Sequence, residues 1–134
     1  RWWAVIGFTL VAMTQCVQWN FYAPISPVVE ATYHWDDGFI AMLVNAANLP
    51  FIVACPFWAA ASARLGLRHS LIVSISLLTL CAGIRCLTIL LESHASWIAV
   101  AGMVFNGLSA PPLNFLPPMI SEIWFSPSER STAT

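Results

Sequence analysis

Apolar residues run along this chain in four long blocks, over about 2–22, 39–61, 71–91 and 97–124, separated by short polar stretches. Each block has the length of a bilayer crossing, which takes roughly 20 helical residues. The first polar stretch holds Glu30, His34, Asp36 and Asp37, the second Arg64, Arg68 and His69, and the third Glu92 and His94. After the fourth block, Ser126 to Thr134 carries Glu129 and Arg130. The pattern predicts an all-α membrane protein with four transmembrane helices. Trp2, Trp3, Trp19, Trp58, Trp97 and Trp124 fall near block ends, and Trp35 stands just before the second block. That is the interfacial belt of rings settling at headgroup depth.

Composition removes the alternatives. Of 134 residues, 59% are apolar and 8% charged, against about 45–50% and about 25% in a soluble domain. A globule this small keeps much of its area exposed, so a water-soluble surface cannot be made from so few charges. The same hydrophobicity excludes a disordered chain. Nucleic-acid binding is excluded by a net charge of −1 with five Arg and no Lys. Cys16, Cys55, Cys81 and Cys86 all lie inside apolar blocks without CxxC spacing, and read as small buried hydrophobes.

Charge sets the orientation. If the chain crosses four times, Arg1, Arg64, Arg68 and Arg130 share one side, and the opposite loops carry Glu30, Asp36, Asp37 and Glu92 with no Lys or Arg. The positive-inside rule then makes the N-terminus cytoplasmic, with the second polar stretch and the C-terminal end. The chain starts at Arg1 without an initiator Met and stops in a Ser/Thr run like the start of a further helix. Residues 1–134 are therefore expected to be a fragment.

Polar residues inside the blocks are the candidates for function. Gln15, Gln18, Trp19 and Tyr22 stand at i, i+3, i+4 and i+7 and share one face of a helix. Amides in hydrocarbon need partners on neighbouring helices or in a wet cavity, so this strip is either solute-facing with an aromatic wall or interhelical glue. Asn45 and Asn48, followed by Pro50 and Pro56, predict a bent second helix with interhelical amides. Arg85 is the only charge well inside a block. At midplane it costs about 2.5–3.5 kcal/mol on the insertion scale, which leaves a snorkelling anchor or a functional charge. Asn106 and Asn114 flank Gly107, Ser109, Pro111 and Pro112, with Pro117 and Pro118 beyond. This predicts a distorted fourth helix that lines a cavity or is buried in protein. His34, His69 and His94 fall in separate stretches, so no metal site is expected. With no nucleophile motif or phosphate-cradling glycine loop, neither a catalytic residue nor a cofactor is expected.

Four segments together carry a resemblance: 18–25 (Gln-Trp-Asn-Phe-Tyr-Ala-Pro-Ile), Gly66-Leu67-Arg68, Gly83-Ile84-Arg85-Cys86, and 124–134 from Trp124 through Pro127, Glu129 and Arg130. The chain resembles the major facilitator superfamily, and within it solute carrier family 49, the feline leukaemia virus subgroup C receptor-related proteins. It is most similar there to the disrupted in renal carcinoma protein 2 branch. The resemblance implies the first four helices of an N-terminal six-helix bundle, packed in the bilayer against the remaining helices. It implies a transporter moving a small solute by alternating access, with helices one and four lining the cavity. Gln15, Gln18, Trp19, Tyr22, Asn106 and Asn114 are then the solute-binding candidates. One branch implies proton-coupled pyridoxine export across lysosomal or endosomal membranes. The other implies choline, ethanolamine or haem, with the plasma membrane as the alternative location. A cytoplasmic gate is implied between Arg64 or Arg68 and Glu122, with Arg130 nearby. Ala63 stands where relatives carry an Asp, which leaves the usual loop ion pair incomplete.

Overall fold

The structure, a computed structural model, describes residues 2–125. Its elements are α1 (Trp2–Trp19), α2 (Ser26–Tyr33), α3 (Asp37–Asn45), α4 (Asn48–Cys86), a 3-10 turn at Glu92–His94, and α5 (Ala95–Trp124). Among the described residues, two continuous stretches are long and apolar enough to cross a membrane: Asp37–Cys86, of 50 residues, and Glu92–Ile123, of 32.

The first of these is two spans joined back to back. Fifty helical residues would reach about 75 Å at 1.5 Å each, against a hydrocarbon core of about 30 Å. The chain reverses at Gly66, whose φ of 77° and ψ of 171° lie in a region that glycine alone enters freely. Contacts on either side of the glycine require the reversal. The Trp58 indole N–H donates to the Leu108 carbonyl at 2.8 Å, and the Ser74 hydroxyl donates to the Ser109 carbonyl at 2.5 Å. A straight helix would hold positions 58 and 74 about 24 Å apart, yet they reach adjacent carbonyls. Four rods result: α1, α3 continuing into residues 48–65, residues 67–86, and α5.

α1 runs against α5. Trp2 meets Phe125 with ring centroids 5.1 Å apart, and Gln15 meets Asn106 further along. The start of α1, the Gly66 turn and the last turns of α5 therefore share one end of the bundle. At the other end, α2 and α3 help to build a core of Tyr22, Val29, Ile40, Leu43, Ala47, Ala99 and Met103.

Element boundaries differ from the expected blocks for local reasons. α1 stops at Trp19, where the Asn20 side-chain amide donates to the Cys16 carbonyl, so Tyr22 lies beyond the helix. α2 occupies a stretch read as a polar connection. Pro27 sits in its first turn, where no amide donor is needed. His34 ends it in the left-handed region at φ 55°. α3 opens early because the Asp36 carboxylate accepts from the Gly38 N–H at 2.9 Å, a side-chain cap. The chain breaks between α3 and α4 because Pro50 cannot donate to the Ala46 carbonyl. α5, expected to be distorted, stays a continuous helix through Pro111, Pro112, Pro117 and Pro118.

Size is distributed inside out. The buried positions of α4 are Ala54, Ser62, Ser70, Ser74, Leu78 and Cys81, whereas Leu49, Ile52 and Phe57 face outward. Small residues inward are how helices associate when lipid is as apolar as the side chains. The closest approach is at Gly107, where a Cβ would overlap the Ala47 carbonyl oxygen. The described residues thus form an all-α bundle.

Candidate functional site

The polar groups of α1, α4 and α5 meet in a buried seam. Gln15, only 6% exposed, donates from Nε2 to Asn106 Oδ1 at 2.9 Å and to the Asn106 carbonyl at 3.2 Å. The Ser109 hydroxyl donates to Gln15 Oε1 at 3.0 Å, and Ser74 donates to the Ser109 carbonyl. Interhelical hydrogen bonds of this kind contribute about 0.6–2 kcal/mol each. Below the seam the prolines of α5 act on its backbone. Pro112 has no N–H for the Leu108 carbonyl four residues earlier, and that carbonyl is the one Trp58 reaches. Trp58 thus serves as an interhelical donor rather than only as a belt residue.

Beside the seam lies a cavity of about 320 Å³, lined by Gln15 and Trp19 of α1, Asn48 and Phe51 of α4, and Leu113 and Asn114 of α5, among others. Trp19 stands edge-on to Phe51, with centroids 5.9 Å apart. Pro117 and Pro118 remove the helical donors to the carbonyls of Leu113 and Asn114, two residues that line the cavity. No charged side chain is among its lining residues. Aromatic faces, amides and freed carbonyls suit a small ligand that has hydrogen-bond donors and a planar ring or a compact cation.

A second cavity, of about 490 Å³, opens at the end of the bundle away from Gly66. Gln18, Phe21, Tyr22, Tyr33, Trp35 and Arg85 contribute to its wall. Arg85 Nη1 donates to Gln18 Oε1 at 2.7 Å and Nη2 to the Met103 sulfur. Its guanidinium carbon lies 5.1 Å from the Tyr22 ring centroid and 5.6 Å from that of Phe21. Gly102 makes room for this side chain, since a Cβ there would come within 3.0 Å of Arg85 Cγ.

The structure therefore divides the expected strip. Gln15, Trp19 and Asn114 line the smaller cavity, while Gln18 and Tyr22 line the larger one with Arg85. Asn106 is fully buried and is not among the residues lining either cavity. Asn45 and Asn48, expected to be interhelical, bond within their own segment: Asn45 donates to the Ala41 carbonyl and Asn48 to Asn45 Oδ1. Sequence reasoning missed Phe51 and the cavity role of Asn48, although Phe51 follows Asn48 by one turn and the apolar block concealed it. Arg64 and Arg68 are exposed on either side of Gly66, and Glu122 is exposed near the end of α5. Arg1 and Arg130 lie outside the described residues.

Comparison with known proteins agrees with this architecture. A family model described as Major Facilitator Superfamily matches residues 8–134. The solute carrier family 49 member 4 homolog of Xenopus tropicalis is 31% identical over 134 residues, covering 100% of this chain and 29% of that protein. Its Xenopus laevis counterpart is 30% identical over the same share of each. The choline/ethanolamine transporter FLVCR1 of Felis catus is 28% identical over 138 residues, 99% of this chain and 23% of that protein. The chain thus spans 29% or less of the length of these curated relatives. No solved structure matches. With the family's pattern running over nearly every residue, this chain belongs to the major facilitator superfamily, a family of integral-membrane transporters.

Proposed function

We propose that the chain supplies four helices of the N-terminal bundle of a transporter that moves a small organic solute by alternating access. The observation that carries this reading is the convergence of Gln15, Trp19, Asn48, Phe51 and Asn114 on one uncharged cavity between α1, α4 and α5. The solute we favour is pyridoxine, exported from lysosomes with proton coupling. Its planar ring matches the Trp19 and Phe51 faces, and its hydroxyls match the amides and freed carbonyls. The similarity to solute carrier family 49 member 4 homologs supports a solute carrier; the choice of pyridoxine rests on the resemblance to the disrupted in renal carcinoma protein 2 branch. A second reading is choline or ethanolamine, which the same Trp19 face would hold by cation–π attraction and which the name of the FLVCR1 relative suggests.

The gate is proposed at the end that holds the start of α1, Gly66 and the last turns of α5, taken as cytoplasmic. There Arg64 or Arg68 pairs with Glu122, and Arg130 adds a further charge. An exposed pair contributes only about 0–1 kcal/mol, yet about 1 kcal/mol moves a two-state equilibrium severalfold. Glu122→Arg should impair transport, and added Arg68→Glu should partly restore it; no rescue, with both variants correctly located, counts against the pair.

Reconstitution of the full-length protein tests the whole reading. Labelled pyridoxine uptake that rises with a pH gradient supports the favoured solute, and choline uptake indifferent to the gradient assigns the second. Uptake of neither by folded protein overturns both. Trp19→Ala should lower transport about tenfold, since a cation–π or stacking contact is worth about 1–2 kcal/mol, with abundance unchanged.

A further inference from the structure

The larger cavity has features that the transport reading does not use. The described partners of the Arg85 guanidinium are all neutral: an amide oxygen, a thioether and two rings. Its Nε is buried with no hydrogen-bond partner among the described residues. A guanidinium with only neutral neighbours is a ready phosphate or carboxylate receptor. The cavity's outer rim is apolar and faces outward: Val17, Val28 and Ile89 are 65%, 66% and 73% exposed and all line it. Arg85 stands one residue from the end of α4, level with the end of α1 that Gln18 and Trp19 form. If the rod of residues 67–86 spans the bilayer, its end, and Arg85 with it, comes to headgroup level.

We propose that this cavity is a phospholipid site, with the lipid phosphate seated on Arg85 and an acyl chain leaving across Val17, Val28 and Ile89. A soluble anion would have to enter past an apolar rim, whereas a lipid presents charge and chain in the order the cavity presents Arg85 and rim. Tyr22 and Phe21 hold the guanidinium plane by cation–π contact, so the charge is oriented before a ligand arrives. The site is separate from the Trp19 cavity. Its test reads lipid rather than transport and stands whether or not the proposed solute is correct.

The experiment uses the full-length protein in phosphatidylcholine nanodiscs doped with a photo-crosslinkable phosphatidylglycerol. The crosslink should fall on peptides containing residues 17–32 and 82–89. It should drop about tenfold in Arg85→Gln, as expected when a charge-assisted contact is lost, and be largely kept in Arg85→Lys. Thr32→Trp, at an exposed position on the cavity wall, should block labelling with Arg85 intact, which keeps the proposal testable if Arg85→Gln misfolds. Equal labelling of wild type and Thr32→Trp overturns the site. Equal labelling of wild type and folded Arg85→Gln overturns the role of the charge. Displacement of the lipid by inorganic phosphate alone, or a carboxylate from elsewhere in the full-length chain found seated on Arg85, overturns the lipid assignment.

Discussion

Gln15 and Gln18 are the same amino acid one helical turn apart, and they belong to opposite kinds of site. Gln15 lies in a buried seam where amides, hydroxyls and carbonyls bond between α1, α4 and α5, with Asn106 Nδ2 left without a partner among the described residues. Gln18 accepts from Arg85 at the wall of an open cavity, where a full charge has only neutral partners among the described residues. Neutral dipoles can cancel in pairs, so the seam needs no outside charge, and the orphaned Asn106 Nδ2 costs it only a neutral donor. A guanidinium needs an anion for the same result, so the open end stays dependent on something else. The seam holds helices together, and the open end waits for a ligand.

The closed side breaks most severely at its tightest contact. Gly107→Val puts a side chain where the Ala47 carbonyl stands, so the α3–α4 junction must move. Overpacking at such a contact costs about 3 kcal/mol, the upper part of the usual range. Thermal unfolding of the full-length protein should show a large drop for Gly107→Val and none for Gly7→Val, since nothing lies within 4 Å of a Cβ at Gly7. Equal behaviour of the two would remove close packing as the basis of the seam.

The two glutamines test the comparison directly. Gln15→Leu leaves Asn106 Oδ1 without its donor, while the Ser109 hydroxyl keeps the Asn106 carbonyl, and should cost about 1–2 kcal/mol. Combining it with Asn106→Leu should return part of that loss, because both polar groups are then gone. Gln18→Leu should cost less, since Arg85 keeps Met103 and the Tyr22 and Phe21 rings. A larger loss from Gln18→Leu would reverse the assignment of glue and ligand site.

The sequence made the four rods legible, because apolar length alone specifies a bilayer crossing. It also pointed to Gln15, Trp19 and Asn114 as polar or aromatic groups set in apolar surroundings. What it did not show was which neighbour each would meet. Periodicity gives a face of one helix, and the strip at 15, 18, 19 and 22 straddles two cavities because partners come from α4 and α5, far along the chain. The turn at Gly66 was hidden for another reason. A polar stretch of several residues promised a loop, but one glycine in an unusual backbone region makes the reversal. Proline signalled distortion in α5, and the donor that compensates for Pro112 sits far back along the chain at Trp58.

That last pairing gives a finer test of the closed side. Trp58→Phe should destabilise by about 1 kcal/mol, the scale of an interhelical hydrogen bond in a membrane. In a Pro112→Ala background the same change should cost much less, because an alanine at that position restores a helical donor to the Leu108 carbonyl. Additive losses in the double-mutant cycle would show that Trp58 acts by packing alone.

The smallest effect is expected at the open end, in the corner between α2 and α3. A hydrogen bond shared with the Asp37 carboxyl group, then burial and the nearby Asp37 charge, push Glu30 above the usual carboxylate range, with Ser26 opposing. The folded corner thus holds this proton more tightly than an unfolded one. The stabilisation is complete below the ordinary carboxylate pKa and is lost as pH rises through the raised value. Mild acid should therefore tighten α2 against α3, where Tyr33 stacks on Trp35 at 5.1 Å. Amide exchange across 30–40, together with Trp35 emission, should show protection growing as pH falls in the wild type. Glu30→Gln cannot gain or lose the proton, and its profile should be flat. A slope that persists unchanged in Glu30→Gln would remove Glu30 as the source of the pH response.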